Sequence, residues 1–532
     1  MDYSHLWVDC IAHKILDGRI CFMRSDMKPR IVDENEWTWT ILGLALLFGI
    51  FVRFIPGPLA GLPINDGGMF AVMIRDLKAN QFVLPVLTSY NHAAIPFAYP
   101  PLGLYLGALF ELLGLSEFQM LIWLPAFLTI ATVPLFYLLA LELLGNRPRA
   151  ALATVFFALA PGNYVWYLMG GGLTRALGAV FYMLALYFVH RAFREADWRL
   201  VFYATLCCAL TVLSHPQAAL LLVLGCTVFW LFSGFSRSSM LRAFVIAAGT
   251  ALLTSPWWGV VIARHGVEVF LSAGQSGDLK ASLSALLGNV LSRQTILPFS
   301  TFFWLLGLFG AIYKRRFDLL VWGFAAYLVD QRSASIVTSF LYPMLAAYGF
   351  MDVTPTLVNW FRTRRWSNEL DNALFNRHGL SMSLLGIIFY LLIECFVHAY
   401  VIRTVTLPYA AQDMMAWVTH NTPPDSRFLI LTGHVDAMTD PVQEWFPALA
   451  DRHSVTTLQG LEWLLRGDFV TRWDQLSALQ RCEETGCVTA WAEEIGLEFD
   501  HLVVDASNVS VDMFLSQGYS VVFDNGRYVV LK

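Results

Sequence analysis

The chain has 532 residues, 57% of them hydrophobic and 14% charged, with a mean hydropathy of +0.56 and a formal net charge of −5. That balance excludes a soluble globular protein of this size, whose surface needs about a quarter of its residues charged. So little basic charge also leaves no nucleic-acid partner to expect. The 40 Phe and 18 Trp suit rings placed in lipid and at its interfaces.

Residues 1–37 are polar and carry Lys14, Arg19, Arg24, Lys28 and Arg30. This is not the pattern of a cleaved signal peptide, so the first apolar run is expected to stay as an anchor. A spanning helix needs about 20 mostly apolar residues. Runs of that kind predict about eleven spans, at 38–55, 118–144, 150–168, 174–192, 199–213, 217–233, 242–262, 297–313, 318–331, 334–352 and 380–402. With the N-terminus inside, one set of loops collects Arg147, Arg149, Arg191, Arg194, Arg199, Arg237, Arg242, Lys314, Arg315, Arg316, Arg362, Arg364, Arg365 and Arg377. The opposite loops are longer, yet hold only Arg53, Arg75, Lys78, Arg175, Arg264, Lys280, Arg293 and Arg332. The asymmetry follows the positive-inside rule and predicts a cytoplasmic N-terminus, with the end of the chain outside.

Two outer regions are predicted between spans, at 56–117 and 263–296. The first contains "YPPLGLYLGALFELLGL", too short to span, which reads as a helix lying at the interface. From about Leu407 the composition becomes that of an extracytoplasmic α/β domain, 407–532. "AAQDMMAWVTHN" and "EWFPALADR" read as helical, and "RFLILTG" and "HLVVD" as strands. "YSVVFDNGRYVVLK" reads as a hairpin about Asp524-Asn525-Gly526. The fold class expected is therefore a polytopic α-helical membrane protein with a C-terminal soluble α/β domain. Of the eight cysteines, Cys207, Cys208, Cys226 and Cys395 fall in spans and Cys10 and Cys21 on the cytoplasmic side. Cys482 and Cys487 fall together outside, where a disulfide is permitted. No internal repeat, phosphate-binding P-loop or zinc-type Cys/His cluster is present.

Polar groups at the outer mouth of a helix bundle are candidates for function. In "LPINDGGMFAVMIRDL", Asp66 precedes a predicted helix from Gly67 to Ala79, so it reads either as its N-cap or as a reactive carboxylate. The two glycines would let a substrate approach the backbone. Asn65, His92 in "SYNHAAIPFAYPP" and Tyr99 before the Pro pair are candidates to touch an acceptor or simply to shape the loop. Arg175 in "MGGGLTRALG", His215 in "LSHPQAALL" and Arg332 in "LVDQRSASI" sit at outer turns. An arginine fork suits phosphate, and the bland alternatives are a lipid headgroup for Arg175 and a pair with Asp330 for Arg332. Glu394 and His398, four apart in the last span, read as a buried polar pair or part of a groove. An acid, two arginines and a histidine on one side of the membrane suit transfer from a lipid-linked phosphate donor.

The order of elements over about 38–350 resembles the GT-C superfamily of membrane glycosyltransferases. The specific wording lies in 62–175, in "YPPLGLYLGALFELLGLSEF" and "LPAFLTIATVPLFYLLALELLGNRPRAALATVFFALAP". It is similar to bacterial relatives of protein O-mannosyltransferases and of the lipid A aminoarabinose transferase. The resemblance implies a polyprenyl-phosphate-linked sugar as donor, transferred with inversion on the extracytoplasmic face to a glycan, lipid or protein acceptor. It implies that the first-loop acid, here Asp66, is the general base, with Arg332, Arg175 and His215 binding the donor phosphate. The chain departs from the pattern at Gly67 and Gly68, where a second acid or an aromatic often follows. It departs again at Tyr99, where the aminoarabinose transferases place a basic residue. The second outer loop, "GNYVWYLMGGGLTR", has no carboxylate, so no divalent metal or other cofactor is expected. Two other readings stand beside it: an oligosaccharyltransferase-like enzyme using a lipid-diphosphate glycan, and a non-catalytic transporter or scaffold.

Overall fold

The computed structural model describes residues 34–233, 236–275, 299–331, 333–363 and 377–532. Arg332, Cys10, Cys21, the five N-terminal charges and most of the predicted outer loop 263–296 lie outside the described residues.

The apolar runs become helices. α1 is Glu34–Phe54, α2 Gly68–Ala79, α3 Leu102–Leu112, α4 Glu117–Leu144, α5 Arg147–Leu159, α6 Gly172–Arg194, α7 Trp198–Ser214, α8 Pro216–Phe232 and α9 Arg237–His265. After them come α10 Phe299–Tyr313, α11 Phe317–Val329, α12 Ala334–Tyr348, α13 Thr354–Thr363 and α14 Arg377–Ile402, with a π turn, Gly349–Val353, joining α12 to α13. Among the described residues six helices are long and apolar enough to cross a membrane: Asn35–Ala60, Glu117–Leu144, Gly172–Arg194, Arg237–His265, Ala334–Val358 and Met382–Val405. Large rings such as Phe202, Phe244, Phe309 and Phe389 remain exposed on their outer faces, as lipid requires of a multi-pass membrane protein.

The predicted third span is broken. α5 ends at Leu159 and the chain turns through Pro161–Asn163 into a short helix, Val165–Leu168. Pro161 has no N–H to donate and cannot continue the α5 ladder, so the apolar run to 168 is not one helix. The interior of the bundle is aromatic. Phe136 and Phe157 stack at 4.2 Å between centroids, and Phe340 lies 6.0 Å from Phe157 and 5.6 Å from Tyr182. Glu394 accepts from Tyr390 Oη one turn earlier, at 2.7 Å.

Past α14 the chain forms a five-stranded sheet in the order β2-β1-β3-β5-β4. Its elements are α15 Tyr409–Asn421, β1 Arg427–Leu431, α16 Pro441–Ala450, β2 His453–Ser454, α17 Phe469–Leu479, α18 Thr485–Ile495, β3 His501–Asp505, β4 Val521–Asp524 and β5 Tyr528–Leu531. β1 runs parallel to β2 and β3, while β5 is antiparallel to β3 and to β4, and β4 and β5 make the hairpin. Side chains alternate across a strand, so the sheet has two faces. Leu429, Leu431, Leu502, Val504, Val529 and Leu531 face a core with α17 and α18. Phe428, Ile430, Val503, Tyr528 and Val530 face a second core shared with α2, α3 and the loop around Tyr90 and Phe97. The first outer loop and the C-terminal segment thus bury one another, and Cys482 and Cys487 form a disulfide on the far side.

Candidate functional site

The site begins with a turn that the sequence builds for close approach. Asn65 has φ 57° and Gly67 φ 123°, both left-handed, so the chain reverses sharply on either side of Asp66. The turn is pinned from three directions. Asn65 N–H donates to Val405 O at 3.1 Å, Gly170 N–H donates to Ile64 O at 3.0 Å, and Trp445 Nε1–H donates to Asn65 O at 3.0 Å.

Asp66 does not cap its own helix. α2 has Gly67 at its N-cap, a residue with no side chain to accept from the first turn. Instead Asp66 Oδ1 accepts from Gly171 N–H at 2.8 Å, at the start of α6, and from Arg175 Nη2 at 2.9 Å, while Oδ2 accepts from Arg175 Nη2 at 2.7 Å. The carboxylate therefore sits on the positive end of a different helix and on an arginine of that helix. The reading of Asp66 as N-cap of Gly67–Ala79 is corrected: positive φ at Gly67 turns the chain so that the carboxylate leaves α2 and reaches α6. Glycine is required on the facing side as well. A Cβ at Gly171 would lie 2.8 Å from Asp66 Oδ2 and 2.6 Å from Arg175 Nη2, and one at Gly170 would overlap Asp66 O.

Arg175 is 7% exposed and Asp66 18%, by side chain. The guanidinium lies 4.0 Å over the Trp166 ring, and its Nε is buried without a hydrogen-bond partner among the described residues. It is thus a buried partner of Asp66.

The carboxylate that does cap α2 comes from the far end of the chain. Glu444 Oε1, on α16, accepts from Gly67 N–H at 3.3 Å and from Met69 N–H at 3.1 Å. Burial, and then the charge of Asp66, push its carboxyl up to about 8. Sequence reading passed over Glu444. Its one signal is that "PVQEWFPALA" is too apolar for a surface helix, so an acid within it is a buried acid.

Of the other candidates, Tyr99 joins the site's edge: its hydroxyl lies 3.2 Å from Thr174 Oγ1, next to Arg175, and burial holds the phenol up at about 12. Asn65 contributes its backbone. His215 begins α8, accepting from Ala218 N–H at 3.3 Å, and packs against Gly178 one turn beyond Arg175. His92 stands elsewhere, exposed, with Nε2 3.1 Å from Asp451 Oδ1. Asp330 accepts from Ser333 Oγ at 2.5 Å, and Arg332 is outside the described residues. Among the described residues no three His, Cys, Asp or Glu side chains are grouped to hold a metal ion.

No protein-family model matches this sequence and no curated protein matches it. Solved structures do. The likeness is one of fold. In particular, the chain superposes on ArnT from Cupriavidus metallidurans bound to undecaprenyl phosphate, with a TM-score of 0.54 and 15% identity over 94% of this chain and 98% of that one. Apo ArnT gives 0.55 and 16% over 93% and 98%. The mycobacterial arabinofuranosyltransferase AftD gives 0.46 and 17% over 87% of this chain and 36% of that one.

Proposed function

We propose that the chain is a membrane glycosyltransferase that moves a sugar from a polyprenyl-phosphate donor to an acceptor hydroxyl on the extracytoplasmic face, with inversion and with Asp66 as general base. The N-terminus is then cytoplasmic, about eleven helices span, and the sheet domain lies outside. The observation that carries the reading is the state of the Asp66 carboxylate. It is mostly buried, fixed by Arg175 and Gly171, and among the described residues Oδ2 has Arg175 as its one hydrogen-bond partner, which leaves a lone pair for an acceptor proton.

In this reaction the acceptor oxygen forms a bond to C1 of the sugar as the bond from C1 to the phosphate oxygen breaks. The acceptor proton passes to Asp66, and the electron pair leaves with the polyprenyl phosphate. Arg175 holds the base in place, a role its ion pair favours over binding the phosphate. His215 and Arg332 are the candidates to stabilise the departing phosphate. The fold shared with ArnT, whose structure holds undecaprenyl phosphate, supports that class of donor.

The test is transfer by the purified full chain in liposomes, supplied with undecaprenyl-phosphate-linked sugars and acceptor extracts. Asp66→Asn is expected to lower turnover by about 10²–10⁴-fold, the scale of general-base catalysis. Unchanged turnover would remove Asp66 from the chemistry.

A further inference from the structure

Asp66 is held by a helix that lies far along the chain. The backbone of α16 closes on the turn so tightly that a Cβ at Gly68 would lie 2.6 Å from Glu444 O. Tyr90 Oη donates to that same carbonyl at 2.7 Å, and Trp445 packs edge-on against Phe118 while donating to Asn65 O. Glu444 itself is 3% exposed and reaches across to the first N–H groups of α2, which have no acceptor within their own helix. Its Oε2 is buried with no hydrogen-bond partner among the described residues. That is an unfavourable place for a carboxyl group, and the contacts it makes are all with the turn that carries Asp66.

From this we infer that Glu444 is a positioning residue: α16 and its carboxyl group clamp the Asp66-Gly67-Gly68 turn, so that the C-terminal domain completes the site at which Asp66 acts. The inference rests on Asp66 being the reacting acid, but the clamp has a readout of its own. Burial favours the neutral form of Glu444, which caps α2 without placing a second negative charge beside Asp66. The clamp reaches α6 through two bonds, since Gly170 N–H depends on Ile64 O and Gly171 N–H on Asp66 Oδ1.

Amide hydrogen exchange on the full chain in nanodiscs separates a clamp from a simple cap. Glu444→Ala should speed exchange about 10-fold both at Gly67–Ala71 and at Gly170–Gly171, while Glu444→Gln, which keeps the acceptor oxygen, should hold both near wild type. Faster exchange confined to Gly67–Ala71, or no change, would overturn the inference. In the transfer assay Glu444→Ala should lower kcat about 10-fold and leave the donor KM within about threefold, with Glu444→Gln close to wild type. Equal loss in the two variants would also count against it. If Glu444→Ala does not fold, Trp445→Phe removes the N–H donated to Asn65 O together with the part of the buried indole that a phenyl ring does not fill. It should raise exchange at Gly170–Gly171 by a smaller factor, and no rise there would refute the clamp. Should Asp66→Asn leave transfer intact, the proposed chemistry fails, while the exchange data still decide the clamp.

Discussion

The bundle carries an aspartate–arginine pair at each end, and the two are built differently. At the start of α5, Arg149 meets Asp352 of the π turn fork to fork, Nε to Oδ2 at 2.9 Å and Nη2 to Oδ1 at 2.6 Å. The Tyr348 ring lies beneath the guanidinium at 5.0 Å, and Lys314 stands 3.9 Å from the same carboxylate. Both fork positions and both oxygens are used there, the arrangement that best offsets desolvation. At the other end, Arg175 meets Asp66 through one nitrogen that bridges both oxygens, leaving Nε buried and without a partner among the described residues. The pair at Asp352 locks helix ends together, whereas the pair at Asp66 keeps unused hydrogen-bonding capacity in a nearly buried place. Buried groups left with unused capacity are uncommon in folded proteins.

The comparison can be broken most forcefully at the acids. Asp66→Asn should cost orders of magnitude in transfer, as stated above, whereas Asp352→Asn should leave transfer within about twofold and lower stability by about 1–3 kcal/mol, read by thermal unfolding in detergent. Comparable losses of transfer in the two would erase the distinction. Next in size is Gly171→Ala, whose Cβ would intrude between Arg175 Nη2 and Asp66 Oδ2. A loss of about 10–100-fold in turnover is expected, against no change for Gly259→Ala, where nothing lies within 4 Å.

The smallest effect is one of pH. Burial raises the Glu444 carboxyl to about 8 from its ordinary 4.5. Its contribution to stability is therefore complete below about pH 4.5 and is lost as pH rises through 8, because ionising it then costs more in the folded than in the unfolded chain. Thermal midpoints measured from pH 5 to 9 should fall less steeply in Glu444→Gln than in the wild type. Parallel curves would show that the carboxyl is not held neutral.

Much of the fold was legible in the chain. The apolar runs marked the helices, "RFLIL" and "HLVVD" marked β1 and β3, and Asp524-Asn525-Gly526 marked the hairpin. Pro161 carried the signal that the third run is broken, but a hydropathy window does not weigh a missing N–H. The position of Asp66 before α2 was also plain. The reading of it as a cap was wrong for a local reason, since a φ of 123° at Gly67 is open to glycine and not foretold by it. His92 looked equivalent to the other outer-loop polar residues, yet the fold carries it to Asp451.

What the sequence by itself determined are quantities summed along short stretches: how long an apolar run is and which turn a dipeptide favours. Those depend on solvation and on local backbone energies, so neighbours in the chain are enough. The tertiary structure alone decided that Asp66 meets an arginine 109 residues later and that the capping acid of α2 lies 377 residues beyond Gly67. No periodicity records such pairings, because their energy comes from burying opposite or complementary groups together. That happens only once the bundle and the sheet have closed on the same turn.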